Sequence, residues 1–459
     1  MKFSAMRKTV AARCVWAAFA LSAAPLALAQ AVFDPPASNF QGRVFSAGAL
    51  PGQAATLAGR GFVPGQTVTL SYGGRTLLDH AVTVNADGGF SAEVKIPPQA
   101  APGLYPVVVQ AVQPTAALVL ELKVSPEVPL AGQNRYTLTR QALPPGLYQV
   151  AYGAKSDSLF VTTAVGRPPV KTSKLLKLNP ATLAVVAERE AAQAPGRSDG
   201  HRMAVYGVAV DDVNGTVWVT NTRDSTVAVY KQDDLSLVKQ FEAGLTPHAR
   251  DVAVDAPLSK AYVSTLESRL VVFDTRRNAL GEPIAIQSAQ RGGKFGAYSL
   301  ALDAQAHKLY TISSETSEVA VIDTRTDTVE KLIRVDGIKG GIGVAVDPKS
   351  QRVFVAAQGS DNVAVVDIAS GKTLITVPVG AGALNVTFDP VSRHAYVSNR
   401  GAGTVTVLDI DGKIVANLPG GSFTNHAVAD GKGAVYVVNK ARGTNDAEGD
   451  RITRIAPKG

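Results

Sequence analysis

Cysteine is almost missing: the only one in 459 residues is Cys14. Beyond it the chain can have no disulfide, no thiol nucleophile, no cysteine-ligated metal and no CxxCH haem attachment. Charge is scarce as well, at 18% of residues, whereas glycine (42) and proline (26) are plentiful. That balance argues against a helical or disordered chain and suits a turn-rich β protein. Long hydrophobic runs are absent apart from residues 15–28. This run follows Lys2, Arg7, Lys8 and Arg13 and ends on the small-x-small triplet Ala27-Leu28-Ala29. It is shorter than the ~20 residues that span a bilayer, and it has the build of a secretory signal over residues 1–29. The expectation is a periplasmic or secreted protein with no membrane span. Loss of that segment halves the formal charge from +8 to +4, because its four basic residues have no acidic counterpart. A weakly basic surface admits an anionic ligand without demanding nucleic acid.

The strongest positive signal is repetition. A short apolar strand recurs at Val150, Val208, Val252, Leu300, Val344, Val386 and Ala427, at spacings of 58, 44, 48, 44, 42 and 41 residues. About ten residues after each start stands an aromatic: Phe160, Trp218, Tyr262, Tyr310, Phe354, Tyr396 and Tyr436. A third apolar strand follows, as in VAVID (319–323) and VAVVD (363–367), and then a more polar fourth, as in TVEKLIRV. Four strands in about 42 residues is the period of a propeller blade. The seventh unit runs out at Ile455 without a fourth strand, while residues 135–142 ahead of the first unit alternate like an unpaired strand. Pairing the two would close the ring and remove two exposed edges.

Units such as VAVDPKSQRVFVAAQGSDNVAVVDIASGKTLITVPVG (344–380) and NVTFDPVSRHAYVSNRGAGTVTVLDIDGKIVANLPGG (385–421) resemble the YVTN-type β-propeller repeat. The arrangement resembles the exported YncE-like proteins over residues 133–459. Ahead of it, residues 38–125 carry Gly59-Arg-Gly-Phe-Val-Pro-Gly-Gln66 and short alternating strands, similar to bacterial Ig-like and TIG-like sandwiches. Residues 125–132 read as a linker. The expected fold is therefore all-β, a seven-bladed propeller preceded by a small Ig-like β-sandwich.

In a propeller the residues leading into each innermost strand surround one mouth of the channel. Here they are Gln149, Gly207, Asp251, Ser299, Gly343, Asn385 and His426, preceded by Tyr148, Tyr206, Arg250, Tyr298, Ile342, Leu384 and Asn425. Loops after the second strands add Arg223, Arg400, Lys440 and Arg442. Polar groups converging beside aromatic faces make a default binding site. The expected ligand-binding set is Tyr148, Gln149, Tyr206, Arg223, Arg250, Asp251, Tyr298, Ser299, Asn385, Arg400 and His426. The YncE-like resemblance implies single-stranded DNA as one ligand, with tyrosines stacking bases. A small anionic ligand and an envelope protein, in iron uptake for example, are the other partners considered.

Enzyme signatures are sparse: there is no GxSxG elbow, HExxH or Walker loop. The segment from Thr246 to Asp251 gathers His248, Arg250 and Asp251, a weak set for acid–base work that faintly resembles phosphogluconolactonase-type propellers. Of the histidines, His80, His307 and His394 are expected at the surface. His201, His248 and His426 fall near mouth loops but at unequal offsets, so no metal or other cofactor is expected.

Overall fold

The computed structural model describes residues 38–458 together with Pro36, and the expected signal at residues 1–29 lies outside the described residues. From residue 136 onward the chain forms seven antiparallel sheets, numbered here as blades 1–7 in chain order. Blade 4 is representative: Ala297–Asp303, Lys308–Ser313, Glu318–Asp323 and Thr328–Arg334 pair in sequence order from the inner edge outward. The other inner strands are Leu147–Gly153, Val205–Asp211, Val252–Asp255, Gly341–Asp347, Ala383–Asp389 and Thr424–Ala429. Each touches the next around the molecule, and the seventh touches the first, so the ring is closed.

Closure is made by the strand that the pattern left unpaired. Tyr136–Ala142 lies antiparallel to Arg451–Pro457, with Leu138 opposite Ile455 and Arg140 opposite Thr453. Blade 3 departs from the repeat. Its outer position holds two short strands, Ala279–Leu280 and Ile284–Ala285, both paired with Arg269–Asp274.

The repeated aromatic explains why the sheets stack. Phe160, Trp218, Tyr262, Tyr310, Phe354, Tyr396 and Tyr436 are all buried, at 0–3% exposure. Each belongs to a cluster made of two blades, its own and a neighbour: Phe160 meets Val205 and Val217, Phe354 meets Ala383 and Val397, and Tyr436 meets Leu147 and Val161 across the closing seam. Burial of a large aromatic in every wall supplies the hydrophobic term that no single four-strand sheet could collect alone.

Tight turns follow the inner strands. Asp211 accepts the backbone N–H groups of Val213 and Asn214 at 3.1 and 3.0 Å, and Asp303 and Asp389 cap their own turns in the same way. In blade 3 Asp255 turns outward instead, to Thr324 and to His307 Nδ1 at 3.0 Å. His307 is thus an inter-blade tie and not the free surface residue its turn position suggested. His394 is also partly buried, and burial pushes its pKa down.

Upstream, residues 43–124 form two further sheets. One joins Arg43–Ser46, Ala54–Arg60 and Phe90–Lys95; the other is built on Thr67–Tyr72, Gly103–Val112 and Ala116–Val124. Their facing sides share one core containing Leu57, Leu70 and Val109. The GxGFxPGQ segment earns its composition here. Phe62 sits edge-on between Phe40 and Phe90, Gly61 takes φ +74° where a Cβ would press on the Gln41 carbonyl, and buried Gln66 donates to the Pro114 carbonyl. Lys123 bonds the Gln358 carbonyl at 2.9 Å and Asp361 at 2.8 Å, tying this unit to blade 5. The connecting segment is also strapped down: Ala131 and Asn417 exchange backbone hydrogen bonds, and the Asn417 amide donates to Val128.

Candidate functional site at the channel mouth

Six of the seven inner strands lose register with their second strands at the entry end, between Leu147 and Val150, Val205 and Val208, Ala297 and Leu300, Gly341 and Gly343, Ala383 and Asn385, and Thr424 and His426. Such bulges release residues from the pleat and re-aim their side chains. The mouth residues are those released at these bulges, or, as with Asn385 and His426, the first paired residue after them. In blade 3, Arg250 and Asp251 do the same work from just ahead of Val252. Together they line a cavity of about 280 Å3 that includes Tyr148, Gln149, Tyr206, Arg250, Asp251, Tyr298, Ser299, Asn385, Arg400 and His426, so all of the expected set but Arg223 converge. Arg223 stands outside the lining, its Nε donating to the Tyr206 hydroxyl at 3.2 Å.

The mouth has two tiers with different duties. In the lower tier, side chains cap backbone N–H groups that the inner edge leaves unpaired. Gln149 Oε1 accepts from Val208 at 3.0 Å, Asp251 Oδ2 from Leu300 at 2.9 Å, Asn385 Oδ1 from Ala427 at 2.9 Å, and His426 Nδ1 from Val150 at 3.4 Å. Each of these bonds crosses from one blade to the next, so this polar ring holds the disc together. Burial pushes His426 down to about 4, consistent with a neutral ring accepting through Nδ1. Burial also raises Asp251 to about 6, against the opposing hydrogen bonds from Leu300, Gln149 and Val252 and the nearby Arg250 charge.

Cations and aromatics dominate the upper tier. Tyr148 and Tyr206 stack on one another, with centroids 3.6 Å apart and planes 15° from parallel. Lys440 Nζ sits 3.9 Å from the Tyr148 centroid, so both faces of that ring are taken. Arg250 lies over Tyr298 at 4.6 Å and bonds its hydroxyl. Arg400 bonds Asn425 and lies 4.5 Å from the Phe423 ring, with Arg442 5.2 Å from the same ring. Among the described residues none of Arg223, Arg250, Arg400 and Lys440 forms an ion pair. The crowding shows in Lys440, lowered to about 8 by burial and by the charges of Arg400 and Arg223. Burial likewise lowers Arg400.

The weak acid–base trio does not assemble. Arg250 and Asp251 face the cavity, but His248 is exposed outside its lining, in a turn at φ +50° with its backbone N–H directed to Ser225 Oγ. The three mouth-loop histidines are equally dispersed. His201 is 1% exposed, with Nε2 2.9 Å from Asp224 and Nδ1 accepting the Val170 N–H, so it locks the long connection between blades 1 and 2. No group of three or more metal-ligating side chains occurs among the described residues.

Gln358, Phe423 and Lys440 are absent from the expected ligand-binding set, although Lys440 is among the loop charges expected at that face. A signal for two of them existed. Counting four residues past the second-strand aromatic gives Gln358, Arg400 and Lys440 in blades 5, 6 and 7. Phe423 follows no repeat position, and only the fold brings it beneath Arg400.

Seven antiparallel sheets, six of four strands and one of five, closed around a polar mouth define a seven-bladed β-propeller. The propeller is YncE-like: the chain is 28% identical over 252 residues to YncE of Escherichia coli O157:H7, covering 52% of this chain and 67% of that protein. It is also 28% identical over 258 residues to YncE of Salmonella typhimurium, covering 53% and 68% respectively. Among solved structures, the hydrazine synthase of Kuenenia stuttgartiensis superposes with a TM-score of 0.52 at 17% identity, over 64% of this chain and 93% of that one, which shows the shared fold alone. No family model matches the chain.

Proposed function

We propose that this chain is an exported binding protein, without catalytic chemistry of its own, whose propeller mouth takes up a small anion. The observation that carries the reading is the set of four cations, Arg223, Arg250, Arg400 and Lys440, gathered at one mouth and outside every ion pair among the described residues, with Asp251 as the one carboxylate in the cavity lining. Bringing like charges together into a partly desolvated site is unfavourable by itself, and an anion relieves it. Tyr298 and Asn425, themselves held by Arg250, by Arg400 and by the Tyr148 carbonyl, line the cavity with Gln358 and would orient such a ligand. Export rests on the basic, apolar and small-x-small order of residues 1–29. Among the described residues no helix is long and apolar enough to cross a membrane. We read residues 38–125 as an Ig-like module and 133–459 as the propeller.

A small anion is favoured over single-stranded DNA because stacking platforms need a free aromatic face. Tyr148 has none, and Tyr206 gives one of its faces to Tyr148. The deciding measurement is calorimetric titration of the protein with inorganic phosphate, small carboxylates and a short oligothymidylate at low and high salt. The reading expects saturable binding of small anions that weakens with salt and is lost in an Arg250→Ala/Arg400→Ala double variant. Tight binding of the oligonucleotide with no response to small anions would replace it with the nucleic-acid reading.

A further inference from the structure

The upper tier of the mouth is chemically lopsided, and this points to the kind of anion it takes. Reading round the seven equivalent rim positions, blades 1–4 supply Tyr148, Tyr206, Arg250 and Tyr298 and blade 7 supplies Asn425. Blades 5 and 6 supply Ile342 and Leu384, adjacent aliphatic side chains that line the same cavity and stay partly exposed to it. Neither belongs to an inter-blade core cluster. The bulge that re-aims them is shared with blades carrying polar residues, and the inter-blade clusters of blades 5 and 6 are built from other residues such as Val344, Val386 and Phe354. Two neighbouring aliphatics facing water in a cationic cavity cost hydrophobic free energy that only an apolar partner returns.

We infer that the ligand is a small amphipathic anion, its charged group held among Arg250, Arg400 and Asn425 and its apolar body laid on Ile342 and Leu384. The inference rests on the anion reading above and adds a second, independent contact to it. The cavity volume, about 280 Å3, is at the small end of ligand pockets and suits an aryl or short-chain alkyl phosphate or carboxylate. Tyr298, with Arg250 over its ring, and Gln358 line the same cavity and would contribute to the ligand's orientation across the mouth.

The test compares inorganic phosphate with phenyl phosphate by calorimetry, on the wild-type protein and on an Ile342→Ser/Leu384→Ser variant. The inference expects phenyl phosphate to bind roughly tenfold more tightly than phosphate to the wild type. It expects that preference to vanish in the variant while phosphate affinity stays the same. Equal affinities in the wild type would overturn the amphipathic ligand yet leave the anion site standing. No binding of either compound would remove both readings together. Should the double variant fail to fold, the wild-type preference decides by itself, with Leu384→Ser alone as the second measurement.

Discussion

The walls between the blades and the rim of the mouth are built from the same seven repeats, and they have diverged to different degrees. At the wall position every blade carries an aromatic, and every one is buried against a neighbour. At the rim position the same repeats carry three tyrosines, an arginine, an isoleucine, a leucine and an asparagine. One position has a single duty seven times over, since each wall must fill the same gap between twisted sheets. The other has seven separate duties around one cavity. Equivalent register with unequal chemistry is how a repeat scaffold keeps its fold and still acquires a site.

Breaking a wall should produce the largest effect. Phe354→Ala removes a side chain with no solvent exposure and is expected to cost about 3–5 kcal/mol in denaturant unfolding, with anion affinity preserved in the folded fraction. Breaking the upper rim should do the reverse. Arg400→Ala is expected to lower anion affinity by at least about tenfold, the loss of one charge-assisted hydrogen bond, while shifting the thermal midpoint little. A variant that loses both together would show that the two regions are not separable.

The pH dependence of binding sharpens the same contrast. Lys440 is charged below about 8, so anion affinity is expected to rise as pH falls through that value. A second rise is expected as Asp251 takes up its proton near 6, because a negative charge then leaves the cavity. For the empty protein the linkage runs through the unfolded state. The folded pKa of Asp251 lies above its unfolded value, so its contribution to stability is present at low pH and is lost as pH rises to about 6. Lys440 lies below its unfolded value, so stability recovers between about 8 and 10.5 as the buried amine sheds its charge ahead of the unfolded chain. Titrations of Lys440→Met and Asp251→Asn should each remove one step of the binding profile and leave the other.

The smallest effect belongs to the lower tier. Gln149→Ala strips the cap from the Val208 N–H at the channel edge and is expected to cost about 1 kcal/mol of stability with anion affinity unchanged. An equal loss of affinity would move Gln149 from the holding ring into the binding surface.

The blades were legible in the chain because their signal is periodic: an apolar strand, an aromatic ten residues on, and an unpaired strand at each end that only ring closure satisfies. The mouth was legible in part, since residues ahead of an inner strand must surround the axis. Their duties were not legible. Gln149, Asp251, Asn385 and His426 line the mouth as expected, and the sequence held no sign that each also caps the neighbouring blade's backbone. His248 stood beside Arg250 and Asp251 in the chain, yet a turn at positive φ carries it out to solvent.

Sequence alone determined the number of blades, the strand that closes them and the residues that ring the axis, because these depend on spacing, and spacing is written linearly. Only tertiary structure decided which of those residues bond to a neighbour and which remain free, which ring faces are already stacked, and that Phe423 joins the mouth. Those outcomes depend on distances between blades far apart in the chain, and no local pattern encodes such distances.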